Sequence, residues 1–309
     1  FTKVCVALLI LTVLATATLS GYVLDNDSYY IQTIKWLNEY GLVPGIANWH
    51  IFLAQQSGFH ILEAGLNLEF LGLGFNDVGL FMTLIMMLWS VLPSVINETE
   101  YQKAFRNLLV LILPFLLLLG TAPSPDAPVI LIHYYVIYKF LFGKRDSKNL
   151  LIITFLTGLA CCFKITSIFL GAFPLVLFFQ IAGQRKKAIL KPAMVTIAFA
   201  GLFVAKNTVA SGHPLFPLTF LSLDVDWLMP IEMATFYSNA TVAQAYGTTM
   251  NELAGMDLWS RWQLWIQHPG IERYLNGTVA AVLVFSMVAL ISYFKNVGMR
   301  TVLIAFLLF

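Results

Sequence analysis

The chain has 309 residues, 59% hydrophobic and only 11% charged, with a mean hydropathy of +0.80 and a net charge of +2. Soluble domains carry about 25% charged residues, so this composition argues against an ordinary soluble domain and leads us to expect a polytopic membrane protein. Cys5, Cys161 and Cys162 all lie in apolar runs, with neither a disulfide framework nor metal-ligand spacing.

A helix needs roughly 20 apolar residues to cross about 30 Å of hydrocarbon. In chain order, candidate spans fall at 4–20, 78–96, 106–121, 127–142, 149–164, 167–183, 188–206 and 278–294, and another opens at 299. The chain opens at Phe1 and stops inside "MRTVLIAFLLF", which reads as a piece of a longer protein with a retained first helix. Residues 149–183 form one overlong helix or two short spans turning at "KITS". Charge favours two. With the N-terminus inside, the basic clusters at 139–148, 185–191 and 295–300 then share the cytoplasmic side, and only Lys35, Lys164, Lys206, Arg261 and Arg273 lie outside. All acidic residues except Glu98, Glu100 and Asp146 fall at the outer face, an asymmetry that insertion does not explain.

Two long outer segments interrupt the spans, at 21–77 and 207–277. The first begins "LDNDSYYIQTIKWLNEYG", where Tyr30, Ile31, Ile34 and Leu37 recur at helical spacing opposite Gln32, Lys35, Asn38 and Glu39. That pattern predicts an amphipathic helix suited to the membrane interface and ended by Gly41, Pro44 and Gly45. Residues 51–75, with His60, Glu63, Asn67 and Glu69 among apolar neighbours, predict a second interfacial or re-entrant helix.

Asp25 and Asp27 stand just beyond the first span. Either they cap the helix that follows, or they form a D-x-D pair in which one carboxylate takes a proton from an acceptor hydroxyl and the other holds a cation or orients the acceptor. Asp126, in "TAPSPDAP", carries the same ambiguity: Ser124, Pro125 and Asp126 make a good helix start, yet the topology puts Asp126 on the same side as the other two. Lys164 and Lys206 sit at outer span ends, where they either snorkel or bind a phosphate, with Arg261 and Arg273 as further candidates. In "KNTVASGHPLFP", Asn207 and His213 are candidate substrate ligands, although His213 reads first as a loop residue and only second as a base. Trp227, Trp259, Trp262 and Trp265 suit a membrane interface. The sequence holds no P-loop, zinc motif or dinucleotide fingerprint.

An apolar first span, an acidic first outer loop with an interfacial helix and a short acidic second loop resemble the GT-C glycosyltransferases. More closely, "DNDSYYIQTIKWLNEYGLVPG", "SPD", "FKIT" and "KNTVASGHPLFP" together resemble a bacterial membrane-protein family with a GT-C-like plan, over most of residues 20–230. The chain departs from that pattern at Tyr30, where many relatives have His, and at His213, where aromatic residues are common. The resemblance implies an all-α integral membrane fold, a GT-C-like multi-span helical bundle within a single domain over 1–309. It also implies an acceptor-activating aspartate at Asp25 or Asp27 and a further acidic contributor at Asp126. A divalent cation, Mg or Mn, could sit on Asp25, Asp27 and Asp126. The expected partners are a polyprenyl-phosphate-linked sugar, an envelope acceptor and the bilayer, with no nucleic acid, and the expected site faces outward from the inner (cytoplasmic) membrane. A transporter or flippase of an envelope lipid and a noncatalytic scaffold are the competing expectations.

Overall fold

The computed structural model describes residues 2–72, 74–93, 98–181 and 190–268, and beyond these 270, 273–274, 276–277, 279–281 and 284. The expected spans at 278–294 and from 299, and the basic cluster Arg185–Lys187, lie outside or largely outside the described residues. Among the described residues the fold is all-α: helices and turns occur, and the sole pairing of extended backbone is an isolated bridge between Leu215 and Leu218.

Helix α1 covers Thr2–Ala17. A π-helical turn, Asn26–Tyr30, runs directly into α2, Ile31–Tyr40, which ends where Gly41 adopts φ +69°. Helix α3 spans Gly58–Leu66 and α4 spans Val78–Val91. Next come α5 (Glu100–Leu108), opened by a Thr99–Gln102 capping box, and α6 (Leu113–Gly120), joined by the 3-10 turn Leu109–Ile112. Pro114 explains that tightening, because it brings no N–H for a regular helical bond. Helix α7 is Asp126–Phe142, α8 is Ser147–Phe163 and α9 is Ala172–Ile181. The extended Lys164 (φ −149°) and the 3-10 turn Ile165–Gly171 separate the last two, at the expected "KITS" break. Helix α10, Leu190–Ser211, continues past the expected end at 206 until Gly212 stops it at φ +76°. Helices α11 (Ile231–Ala245), α12 (Met250–Ala254) and α13 (Leu258–Ile266) follow.

Among the described residues two helical stretches, Glu100–Gly120 and Leu190–Ser211, are long and apolar enough to cross a membrane; α1, α4, α8 and the 165–181 stretch are apolar but shorter.

Contacts divide the chain into two compact units, residues 1–43 with 56–206, and residues 44–55 with 207–309. In the first, Met87, Leu109, Leu116, Ala127 and Leu131 bring α4 through α7 around one apolar cluster. In the second, Ala47, Ala54, Phe216, Met229, Ala234 and Tyr237 form the core. The short insertion 44–55 is fixed there because the Gly45 amide donates to the Val209 carbonyl (2.8 Å) and the Asn48 amide group to the Trp227 carbonyl (2.9 Å). Gly45 is required on two counts: its φ is +68°, and a Cβ would stand 2.6 Å from that of Trp227.

The apolar stripe of α2 is in part covered by protein: Tyr30 and Ile34 are buried and α2 packs on α3, Ile31 and Leu37 are half-buried, and Gln32, Lys35 and Glu39 face outward.

Candidate functional site

The first unit stitches its two acidic segments together. The Tyr22 amide donates to Thr121 Oγ1 at 3.0 Å, bringing the start of "LDNDSYY" to the loop that carries "SPD". From the other side, Ser57 Oγ donates to the Phe163 carbonyl at 2.6 Å, so the start of α3 caps the last turn of α8 immediately before Lys164. That hydroxyl satisfies a carbonyl the helix end leaves unpaired. Gly58 makes the approach possible, because a Cβ there would lie 2.9 Å from the Cys162 carbonyl oxygen.

Asp25 does not cap the helix that follows it; its side chain makes no capping hydrogen bond. Its Oδ2 instead lies 3.4 Å from the hydroxyls of both Tyr29 and Tyr30, which point their O–H groups towards it. Asp27 is exposed, and its Oδ1 accepts from the side-chain amide of the preceding Asn26 at 2.9 Å. The two aspartates therefore have different surroundings, a distinction the D-x-D spelling hides.

Asp126 opens α7. Ser124 Oγ accepts the Asp126 amide (3.3 Å) and stands 3.4 Å from its Oδ2; the helix starts one residue later than the expected Ser124 cap, with Pro125 in the cap position and no side-chain capping bond from it. The Lys164 ammonium pairs with Asp126 Oδ1, and the two side chains remain 44% and 35% exposed. The pair is thus reachable from solvent.

Tyr30 ties these parts together. Burial raises its phenol to about 12; the side chains of Tyr29 and Ser124 pull that value down, and the charges of Asp25 and Asp126 push it up. The hydroxyl of Tyr30 is therefore neutral at physiological pH and stands within electrostatic reach of both carboxylates. Its ring lies 4.9 Å from that of His60, tilted by 53°. His60 is 2% exposed, and neither ring nitrogen has a hydrogen-bond partner among the described residues. Burial lowers it to about 4, helped by the Lys206 charge and opposed by the Pro123 carbonyl, which favours the protonated ring without reaching hydrogen-bonding geometry. His60 is a neutral imidazole. Lys206 donates to the Gln56 carbonyl at 2.7 Å.

Glu63, one turn along α3 from His60, is fully buried, and its Oε2 accepts the Val78 amide at 3.4 Å. Burial lifts it to about 8, the amides of Val78 and Gly79 acting against the rise and Asp77 adding to it. It is an acid that caps α4.

The remaining candidates belong to the second unit and are engaged within it. Asn207 is buried and donates to the Pro214 carbonyl at 3.3 Å. His213 is fully buried, with Nε2 2.9 Å from the Met229 carbonyl and Nδ1 2.8 Å from Ser222 Oγ. Arg261 donates to the carbonyls of Met256 and Leu253, both at 3.1 Å, tying the α12–α13 corner. In this structure the polar atoms of these three hold turns together. Nor do Asp25, Asp27 and Asp126 fit a cation site. Among the described residues no group of three or more His, Cys, Asp or Glu converges as a metal would need, Asp27 turns to Asn26, and Asp126 is already neutralised by Lys164.

Nothing in the sequence marks Tyr29, Tyr30, Ser124 or His60 as site residues. Tyr30 and His60 look in the sequence like members of apolar helix faces, and Ser124 like a cap. The one usable signal was a tyrosine pair following an acidic pair.

No curated protein and no solved structure matches the chain. Over residues 1–309 it matches, and therefore belongs to, the family described as a domain of unknown function, DUF8201.

Proposed function

We propose that this chain is a membrane glycosyltransferase that moves a sugar from a polyprenyl-phosphate donor to an envelope glycan, lipid or protein acceptor at the extracytoplasmic face of a bacterial cytoplasmic membrane. The observation that carries this reading is the meeting of two carboxylates of different character on one phenol: Asp25, held by tyrosine hydroxyls, and Asp126, paired with the accessible cation Lys164. A half-buried carboxylate and a solvent-reachable ammonium, linked through Tyr30 and Asp126, supply the two things inverting transfer from a phosphate needs, a base and an anion ligand.

The membrane setting is supported by an inverted surface. Helix α1 exposes Leu8, Leu11 and Leu14 while burying Thr16; α4 exposes Phe81 and Ile85 while burying Thr83 and Ser90. The apolar windows of the Glu100–Gly120 and Leu190–Ser211 stretches are only 22% and 11% buried within the protein, unlike the core helices of a soluble fold. Large apolar side chains pointing outward and hydroxyls inward are what a lipid solvent selects. This favours a multi-span GT-C-like bundle.

In the reaction, Asp25 takes the proton of the acceptor hydroxyl while that oxygen bonds to the anomeric carbon. The bond from the anomeric carbon to the donor phosphate oxygen breaks, and its electron pair leaves with the polyprenyl phosphate, whose charge Lys164 meets. Asp126 holds Lys164 in place and, with Ser124, lines the acceptor's approach. No step is routed through a cation, because the aspartates do not assemble one.

The test is release of polyprenyl phosphate by the purified protein in nanodiscs, given a panel of polyprenyl-phosphate sugars with envelope acceptors. Base catalysis contributes roughly 10²–10⁴-fold, so Asp25→Asn is expected to lose nearly all release and Asp27→Asn to keep most of it. Equal activity of wild type and Asp25→Asn would sink the assignment.

A further inference from the structure

Asp25 stands at the entrance of the π-helical turn Asn26–Tyr30, and the geometry of that turn has a consequence. An α-helix brings residue i+4 back over residue i and carries i+5 away to the side. The i→i+5 bonding of a π-turn widens the coil, so residues four and five along come to flank the starting side chain; such turns recur at functional sites. Here those residues are Tyr29 and Tyr30, and both hydroxyls lie 3.4 Å from the same oxygen, Asp25 Oδ2. Oδ1 has no donor among the described residues.

The phenols are themselves held. Both tyrosines are buried and their rings meet edge-on at 4.6 Å. Tyr30 also lies against the His60 ring on α3 and interacts with Ser124 ahead of α7. Asp27 is exposed, and among the described residues its side chain bonds to its neighbour Asn26 alone.

We propose that Tyr29 and Tyr30 are positioning residues that clamp Asp25 through Oδ2 and present Oδ1 as the basic atom to the acceptor hydroxyl. The base role rests on the transferase reading above; the clamp does not. Two hydroxyl contacts on one oxygen hold the carboxylate in one orientation. The other titratable or charged groups around the turn are Asp27 on the same segment, Asp126 and Lys164 across it, and the neutral His60 from α3. None of them donates to Asp25.

The clamp is read by 13C NMR of the full-length protein, labelled at aspartate and held in nanodiscs, with the Asp25 side-chain signal assigned by its loss in Asp25→Asn. Tyr29→Phe, Tyr30→Phe and the double variant keep the rings and remove the hydroxyls. The Asp25 side-chain carboxyl signal is expected to move with each hydroxyl lost, and thermal unfolding in the same nanodiscs checks that each variant is folded. If the double variant does not fold, the two single variants carry the measurement. An unchanged carboxyl signal overturns the clamp, whatever the activity.

In the tyrosine variants kcat for sugar transfer is expected to fall while KM for the donor holds. A kcat that collapses in Asp27→Asn and is unchanged in the tyrosine variants overturns the base assignment. A moved carboxyl signal in a protein that transfers sugar from no donor supports the clamp and overturns the transferase reading instead.

Discussion

The ammonium of Lys164 pairs with the carboxylate of Asp126, joining the break after α8 to the first residue of α7. Both partners are well exposed, and a pair in that setting adds at most about 1 kcal/mol to stability. Its value lies in where it puts the cation. Lys164→Met is expected to unfold within about 1 kcal/mol of the wild type. It is also expected to raise KM for a polyprenyl-phosphate sugar roughly tenfold, the worth of one charge-assisted hydrogen bond. Paired unfolding curves and donor titrations check this. A large loss of stability with KM unchanged would make the pair structural.

Two buried groups on α3 pull the stability curve in opposite directions. His60 falls from 6.5 in the unfolded chain to about 4 in the folded one, so as pH drops below 6.5 only the unfolded chain takes up the proton and the native state loses ground. Glu63 rises from 4.5 to about 8, so as pH climbs above 4.5 only the unfolded chain releases its proton, and stability declines until pH 8 is passed. Between pH 4.5 and 6.5 the two oppose each other; between 6.5 and 8 only Glu63 acts. Thermal midpoints are therefore expected to fall from pH 6.5 to 8 in wild type and to stay level in Glu63→Gln. His60→Phe, which keeps the ring contact with Tyr30 and removes two unpaired nitrogens, is expected to be as stable as wild type at pH 7 or more so. It should also steepen the fall between 4.5 and 6.5. A flat wild-type profile above pH 6.5 would contradict the burial of an acid at Glu63.

Much of the framework is legible in the sequence. Ser124–Pro125–Asp126 marks the start of α7, and "KITS" marks the break between two helices. What the sequence hides are contacts over long separations. The stripe Tyr30, Ile31, Ile34 and Leu37 asks for an apolar cover without naming α3 as that cover. Asp25 and Asp27 differ by two positions, and only the π-turn distinguishes one as clamped and the other as free to meet solvent. His213 looks like an available imidazole because its partner Met229 lies sixteen residues away in a loop without periodicity.

That histidine gives a sharp contrast between structural and catalytic roles. With both nitrogens engaged and no exposure, His213 fastens the turn after α10 to the residue before Pro230. His213→Ala would strand the buried Met229 carbonyl and open a cavity, a change costing about 2–3 kcal/mol. Unfolding in nanodiscs is expected to report that loss, while kcat/KM per folded molecule stays near the wild-type value. A collapse of kcat in a variant of unchanged stability would restore His213 to the site.

The inverted surface makes a claim independent of the chemistry. Leu11 is 62% exposed, Phe81 61% and Ile197 71%. In water, three such positions on separate helices would each leave an apolar side chain hydrated at a cost of about 1.5–3 kcal/mol relative to burial; in a bilayer the same side chains meet lipid tails. Single cysteines placed at these positions, in a chain whose Cys5, Cys161 and Cys162 are replaced, are expected to resist a membrane-impermeant maleimide in sealed vesicles and to react once detergent is added. A cysteine at Lys35, on the outward polar face of α2, should react without detergent in vesicles that present the extracytoplasmic side. Labelling at Leu11, Phe81 and Ile197 as fast as at Lys35 would mean that these faces meet water, and the multi-span reading would fall with it.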